Sequence, residues 1–170
     1  PKTLRLARDE LREILANTWE DTALADLGTY PFVVRPVGSH AGFGLAKIAA
    51  QAAFRAYLAT RTEKEFYVGE FINYATPADA LFRKYRIVLV GGKPFSAHMA
   101  ISHNWDVWYM NADMKSSAAK RAEEARFMDD FDLFAKRHTR AFAALHQGLG
   151  LNYFGIDCAE DADGNLVVFE

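Results

Sequence analysis

Cysteine is almost missing from this chain: Cys158 stands alone, so no disulfide can close within it. That fits a reducing compartment, and we expect a cytoplasmic protein. Long apolar runs are missing too, so no segment reaches the length of a membrane span, and the opening "PKTLRLARDELR" is no signal peptide. Charge of one sign is not in excess. The net charge of −2 gives no electrostatic reason to expect nucleic acid or an anionic membrane as a partner. Any affinity for phosphate must then come from a local site. There is no Gly-x-Ser-x-Gly elbow, and Cys158 shows no sign of activation in its surroundings, so nucleophilic catalysis is unsupported. Internal repeats and low-complexity tracts are absent as well.

What is present is a folded composition, 51% hydrophobic and 25% charged, in a chain of 170 residues. That length suits one compact domain or two small lobes sharing a core. The chain begins without Met and stops at Glu170 inside the apolar run "LVVFE", which reads as a piece excised from a longer protein.

Leu4, Ala7, Leu11, Ile14 and Leu15 recur at helical spacing and predict an amphipathic helix. Pro31 to Arg35 reads as a short strand, and "LAKIAAQAAFRAYLAT" as an Ala-rich helix. Glu65 to Ile72 is a second strand, followed by the connector "NYATPADA". "YRIVLV" and "KPFSAHMAI" flank Gly91-Gly92, a pair suited to a tight hairpin turn. Residues 118–146 carry one apolar stripe, from Met128 and Phe131 to Leu145, and predict one long helix. Two strands around Asp163-Gly164 close the chain. Helices and hairpins in blocks favour an α+β architecture. The expected division is an N-terminal lobe over residues 1–75 and a C-terminal lobe over 76–170.

Between the first strand and the Ala-rich segment lies "VVRPVGSHAGFGLAK". Glycines there let backbone N–H groups converge on an anion, and a helix following at once adds its positive N-terminal dipole. The spacing Gly38, Gly42, Gly44 fits neither the P-loop nor the dinucleotide fingerprint. Arg35 at the strand end tilts the balance from a plain turn toward phosphate, whereas Lys47 reads as a solvated helical residue.

In the closing hairpin, a two-residue turn at Asp163-Gly164 sets Asp157 directly opposite Glu170. Facing carboxylates repel and call for a cation between them, and hard oxygen ligands suit Mg²⁺. A longer turn, "DADGN", shifts the register and leaves the two acids as ordinary edge charges. Arg83, Lys84 and Arg86 enter the first hairpin, where Arg86 is expected to face Ala97 and His98 to lie on the other face with Tyr85 and Ile87. His138 falls in the apolar stripe and reads as a satisfied core residue.

Taken together, residues 31–170 resemble the ATP-grasp family. "VVRPVGSHAGFG" is similar to the family's strand and glycine-rich phosphate loop, which implies ATP-phosphate contacts for Arg35 and for the loop of Gly38, Ser39, His40, Gly42 and Gly44. "YVGEFI" resembles the interlobe hinge, implying that Glu70, Phe71 and Ile72 hold adenine, with Asp79 the nearest acid for ribose. "KYRIVLVGGKPFSA" is similar to the second-lobe hairpin, where Arg86 would approach the γ-phosphate as a catalytic cation. Asn111 matches a segment near the triphosphate. "YFGIDCAEDADGNLVVFE" resembles the closing strands, implying Mg²⁺ ligation by Asp157 and Glu170, with one or two ions. The family's Glu-x-Asn would place its Asn just beyond Glu170, and the lobe that usually precedes the unit is also missing here.

The resemblance implies a fold of two small α+β lobes with the nucleotide site between them. It further implies an ATP-dependent carboxylate–amine ligase working through an acyl phosphate, its carboxylate and amine substrates unidentified and its flanking domains missing. Phosphoryl transfer needs positioning and charge neutralisation more than a covalent nucleophile, which suits the residues present. The alternative is a nucleotide-binding regulatory module that binds ATP without turning it over.

Overall fold

The computed structural model describes residues 2–17 and 23–170. The chain divides into two compact units, Pro1–Ile72 and Asn73–Glu170. Each is built on a four-stranded antiparallel sheet with helices, an α+β architecture.

The first unit contains strands β1 (Thr3–Ala7), β2 (Phe32–Pro36), β3 (Ala46–Ile48) and β4 (Glu65–Glu70), in the order β1-β4-β2-β3. Its helices are α1 (Arg8–Ile14) and α2 (Gln51–Ala59), with a 3₁₀ turn at Ala23–Leu27. The expected first helix is therefore half strand. Thr3 to Ala7 alternates side chains with period two, and pairing Leu6 with Phe66 buries Leu6. Leu4, Ala7 and Leu11 fit a helical period while Leu4 and Leu6 fit a period of two, and the sheet ladder wins because it buries one row and satisfies the strand's backbone groups. Arg8 then starts the helix, with Glu10 reaching back to the N–H of Ala7 at 3.3 Å.

The expected helix after the glycine loop also begins as strand. Ala46 to Ile48 folds back on β2, which buries Ile48 opposite Phe32, and the helix starts only at Gln51. No helix N-terminus follows the loop directly, so its dipole does not act there. The core of this unit gathers Leu6, Leu11, Phe32, Val34, Phe54, Leu58, Phe66 and Val68 on the helix-covered side.

The second unit contains β5 (Phe82–Val90), β6 (Lys93–Ser102), β7 (Tyr153–Glu160) and β8 (Leu166–Val168), in the order β6-β5-β7-β8. Its core joins Tyr85, Ile87, Leu89, Met99 and Ile101 to Phe131, Phe134 and Phe142. The long helix is three pieces: α3 (Ala118–Asp129), α4 (Phe131–Arg137) and α5 (Thr139–Leu149). The backbone leaves helical geometry at Asp130 and His138. At the second bend the buried His138 sets Nε2 2.7 Å from Oε1 of Glu160 in β7, so it is a satisfied core residue. Phe131, Phe134 and Phe142 stay buried, while Met128 at the start of the stripe is exposed.

Asp79 and Arg83 close the connector into β5. Arg83 donates to both Asp79 oxygens at 2.7 and 3.1 Å and to Glu123 of α3 at 2.6 Å. Hydrogen bonds from Arg83, then from the N–H of Leu81, hold the Asp79 carboxyl at about 2. A depressed carboxyl stabilises the fold above its unfolded value and loses that effect as pH falls through the folded one. The urea midpoints of wild type and Asp79→Asn should therefore differ by a constant amount above about pH 5 and converge between about pH 4 and 2. A gap that persists unchanged to pH 2 contradicts this assignment.

Candidate functional site

In the first unit, cross-strand register places Arg5, Val33, Arg35, Lys47, Tyr67 and Gly69 on the sheet face opposite the core. The Arg35 guanidinium lies over the Tyr67 ring at 5.7 Å, and Lys47 Nζ lies 3.6 Å from the Phe71 ring centroid. Such stacking holds each cation at a defined height above the sheet. Lys47 is thus a strand residue sharing the face of Arg35, not a helical one. The alternation Ala46-Lys47-Ile48 was the available signal, masked by the helical propensity of the alanines that follow. Arg5 is engaged by Glu65 through two hydrogen bonds at 2.7 and 3.1 Å.

The glycine loop joins β2 to β3. Gly38, Ala41, Gly42 and Gly44 all have positive φ. At Gly44 two constraints meet: φ is +71°, and a Cβ would stand 2.7 Å from Cδ of Pro36. Its carbonyl accepts from the Tyr57 hydroxyl at 2.7 Å, which ties the loop to α2. Ser39 Oγ donates to the Pro36 carbonyl at 2.8 Å, fixing the first turn. His40 accepts at its carbonyl from Phe43 N–H at 2.9 Å, and Phe43 is exposed at the loop tip. Beyond β4, Phe71 N–H donates to the Pro31 carbonyl at 3.2 Å, leading into Ile72; Glu70 ends the strand opposite Phe32.

In the second unit one sheet face carries Lys84, Arg86, His98, Gly155 and Asp157. Asp157 is paired with Arg86 across β5 and β7. Arg86 Nη1 donates to Asp157 Oδ1 at 2.7 Å, and Lys84 Nζ donates to Oδ2 at 3.0 Å. Burial raises the carboxyl, but the hydrogen bonds and charges of Arg86 and Lys84 outweigh it and leave Asp157 below its ordinary value. Gly155 makes room for this arrangement, since a Cβ there would meet the Arg86 guanidinium at 3.0 to 3.3 Å.

Two register expectations change here. The β5–β6 ladder shifts between Arg86 and Ile87, so Arg86 pairs with His98 and Ile87 with Ser96, leaving Ala97 as the extra residue. This bulge turns His98 onto the face of Arg86 instead of that of Tyr85 and Ile87. Burial holds the His98 imidazole below its usual value, against the opposing pull of Asp157 and Glu124. The closing turn spans Asp161 to Asn165, not two residues. The Asp161 carboxylate accepts from the N–H groups of Asp163 and Asn165 at 3.0 and 2.8 Å, and Asp161 N–H donates to the Asn165 carbonyl at 3.0 Å. The register moves by one, and a local irregularity follows. Phe169 N–H donates to the Asp157 carbonyl at 2.8 Å, while Asp157 N–H donates to the Glu170 carbonyl at 3.0 Å. Asp157 therefore spans Phe169 and Glu170, and Glu170 stays beside it by a different route.

The cation expected at Asp157 is supplied by the protein itself as Lys84 and Arg86. No group of three or more acids, histidines or cysteines that could hold a metal occurs among the described residues. Asp157 and Glu170, the acids expected to hold Mg²⁺, are joined here through their main chains, from Asp157 N–H to the Glu170 carbonyl. Asn111 braces its own loop, its amide bonded to the Asp106 carbonyl at 3.3 Å and to Trp108 N–H at 2.9 Å. Burial pushes the Cys158 thiol up to about 12, which disfavours its thiolate form. No helix among the described residues is long and apolar enough to cross a membrane.

No family model matches the chain, and no curated protein does. Solved structures do match. The chain is similar to the VanG D-Ala:D-Ser ligase of Enterococcus faecalis, with a TM-score of 0.56 and 19% identity, covering 100% of this chain and 46% of that one. A RimK domain ATP-grasp protein of Sphaerobacter thermophilus aligns at a TM-score of 0.52 and 21% identity, covering 99% of this chain and 49% of its own. The D-alanine–D-alanine ligase of Bacillus anthracis, complexed with ATP, aligns at 0.53 and 16%, covering 100% and 46%. The chain thus spans less than half the length of these proteins. Matched along its whole length to these structures, the chain has the ATP-grasp fold.

Proposed function

We propose that the chain is the ATP-binding unit of an ATP-dependent ligase that joins a carboxylate to an amine through an acyl phosphate. The observation that carries this reading is the half-buried cluster of Lys84, Arg86 and Asp157, set on the same fold as ligases. An acid held between two cations on a sheet face suits charge neutralisation during phosphoryl transfer.

In this reading Arg35, Lys47 and the loop of Gly38, Ser39, His40, Gly42 and Gly44 bind phosphate oxygens, and Glu70 to Ile72 offer backbone groups to adenine. Arg86 stabilises the charge that builds on the transferred phosphoryl group. Asp157 and Glu170 would hold Mg²⁺, which when bound supplies further charge neutralisation to the phosphates. Lys84 and Arg86 orient Asp157, and no residue here has to act as a strong base on the phosphoryl group.

Calorimetry with ATP in the presence of Mg²⁺ tests the reading. Saturable binding is expected, weakened about tenfold or more in Arg35→Ala, because a charge-assisted hydrogen bond contributes about 1.5–3 kcal/mol. Absence of saturable ATP binding overturns the proposal.

A further inference from the structure

The bulge at Ala97 leaves one residue unpaired and re-aims the histidine that follows it. His98 stands directly opposite Arg86, and Arg86 stands opposite Asp157 on its other side. The three form a row across β6, β5 and β7. Two strand spacings separate the outer members, so the His98 and Asp157 backbones lie about 10 Å apart with Arg86 between them.

The imidazole is half-buried against the Tyr109 ring, with centroids 5.4 Å apart. Glu124 of α3 holds that wall, accepting from the Tyr109 hydroxyl at 3.0 Å and from Met99 N–H at 3.1 Å. Packing thus places the ring without a hydrogen bond. Nδ1 is enclosed and has no partner among the described residues, and none of them engages Nε2. His138 and His146, by contrast, each bond a protein oxygen. A half-buried imidazole left unbonded calls for a partner from outside the chain. Lys84 and Arg86 face it from β5, Asp157 from β7 and Glu124 from α3. Burial outweighs the two acids and holds the ring below its usual value, so at neutral pH it offers a lone pair rather than a charge. It is a proton acceptor, not a third cation for phosphate.

Resting on the ligase reading above, we propose that His98 is the general base of the second half-reaction, taking the proton of the attacking amine. Arg86, at the centre of the row, faces the acyl phosphate, and the amine approaches from the His98 side. The amine nitrogen bonds to the acyl carbon, the C–O bond to phosphate breaks, and phosphate departs with that electron pair. The proton shed by the nitrogen passes to Nε2 and then to water. A positioned base of this kind contributes about 10²–10⁴-fold.

Two amines separate the half-reactions. Hydroxylamine is weakly basic and unprotonated at neutral pH, so it traps an acyl phosphate without a base, whereas ammonia arrives as ammonium and must shed a proton. The protein is given ATP, Mg²⁺ and one acid at a time, drawn from the standard amino acids and simple mono- and dicarboxylic acids. The acid that yields most hydroxamate is then used with ammonia. His98→Asn and His98→Gln are expected to form hydroxamate within about twofold of wild type and to lose transfer to ammonia by about 10²-fold or more. Both should bind a non-hydrolysable ATP analogue as wild type does, which shows that they are folded. Undiminished transfer to ammonia in the variants overturns the role of His98 and leaves the ligase reading standing. Equal losses with both amines overturn it too, since the defect then lies before the acceptor step. A wild type that binds no analogue, or gives hydroxamate with none of the acids, overturns the ligase reading and this role with it.

Discussion

On the proposed ligase reading, Asp157→Asn is expected to lower acceptor-dependent ADP release about 10²–10³-fold, the scale on which single electrostatic groups act in such reactions. The change keeps shape and removes charge. It leaves Lys84 and Arg86, previously 3.0 and 2.7 Å from carboxylate oxygens, facing each other with only a neutral amide between them. That repulsion should also lower stability by about 1–3 kcal/mol, less than for a fully buried pair because Arg86 is 42% exposed. Steady-state kinetics and urea unfolding separate the two effects. A variant of normal activity removes Asp157 from the chemistry, whatever its stability.

The largest expected loss of stability lies at Phe66. It sits in β4 with no exposed surface, opposite Leu6 on one side and Pro36 on the other, and meets the Tyr57 ring edge-on at 5.9 Å. Phe66→Ala should cost about 3–5 kcal/mol in chemical unfolding, because the transfer term and the cavity add. The loss reaches the site, since Tyr67, the ring beneath Arg35, is the next residue on the opposite face. ATP affinity is therefore expected to fall with stability, and to recover in Phe66→Leu, which keeps most of the volume. A loss of less than about 1 kcal/mol in Phe66→Ala contradicts the packing assigned to this unit.

Much of the architecture was legible along the chain. The Gly91-Gly92 hairpin, the strands at β2 and β4 and the blocks that give an α+β fold follow from period-two alternation and turn chemistry, which are local. Misreadings arose where one stretch satisfied two periods. Thr3 to Ala7 and Ala46 to Ile48 carry helical spacing but are recruited as strands, because neighbouring strands offer backbone partners that only the folded chain assembles. Lys47 was lost for that reason.

Register follows the same division. Which residues carry charge was plain from the sequence: Lys84, Arg86, Asp157 and Glu170. Where each one points depended on two irregularities, the bulge at Ala97 and the five-residue turn at Asp161 to Asn165. A shift of one residue reverses every side chain beyond it, so a single extra residue carries His98 across the sheet. The sequence by itself determined the hairpin, the strands β2 and β4, most of the apolar stripe of residues 118–146 and the cation and acid inventory, because these depend on side-chain chemistry and short-range spacing. Only the tertiary structure decided that Lys84 and Arg86 both close on Asp157, because that contact joins residues about seventy positions apart through a ladder whose register no local pattern specifies.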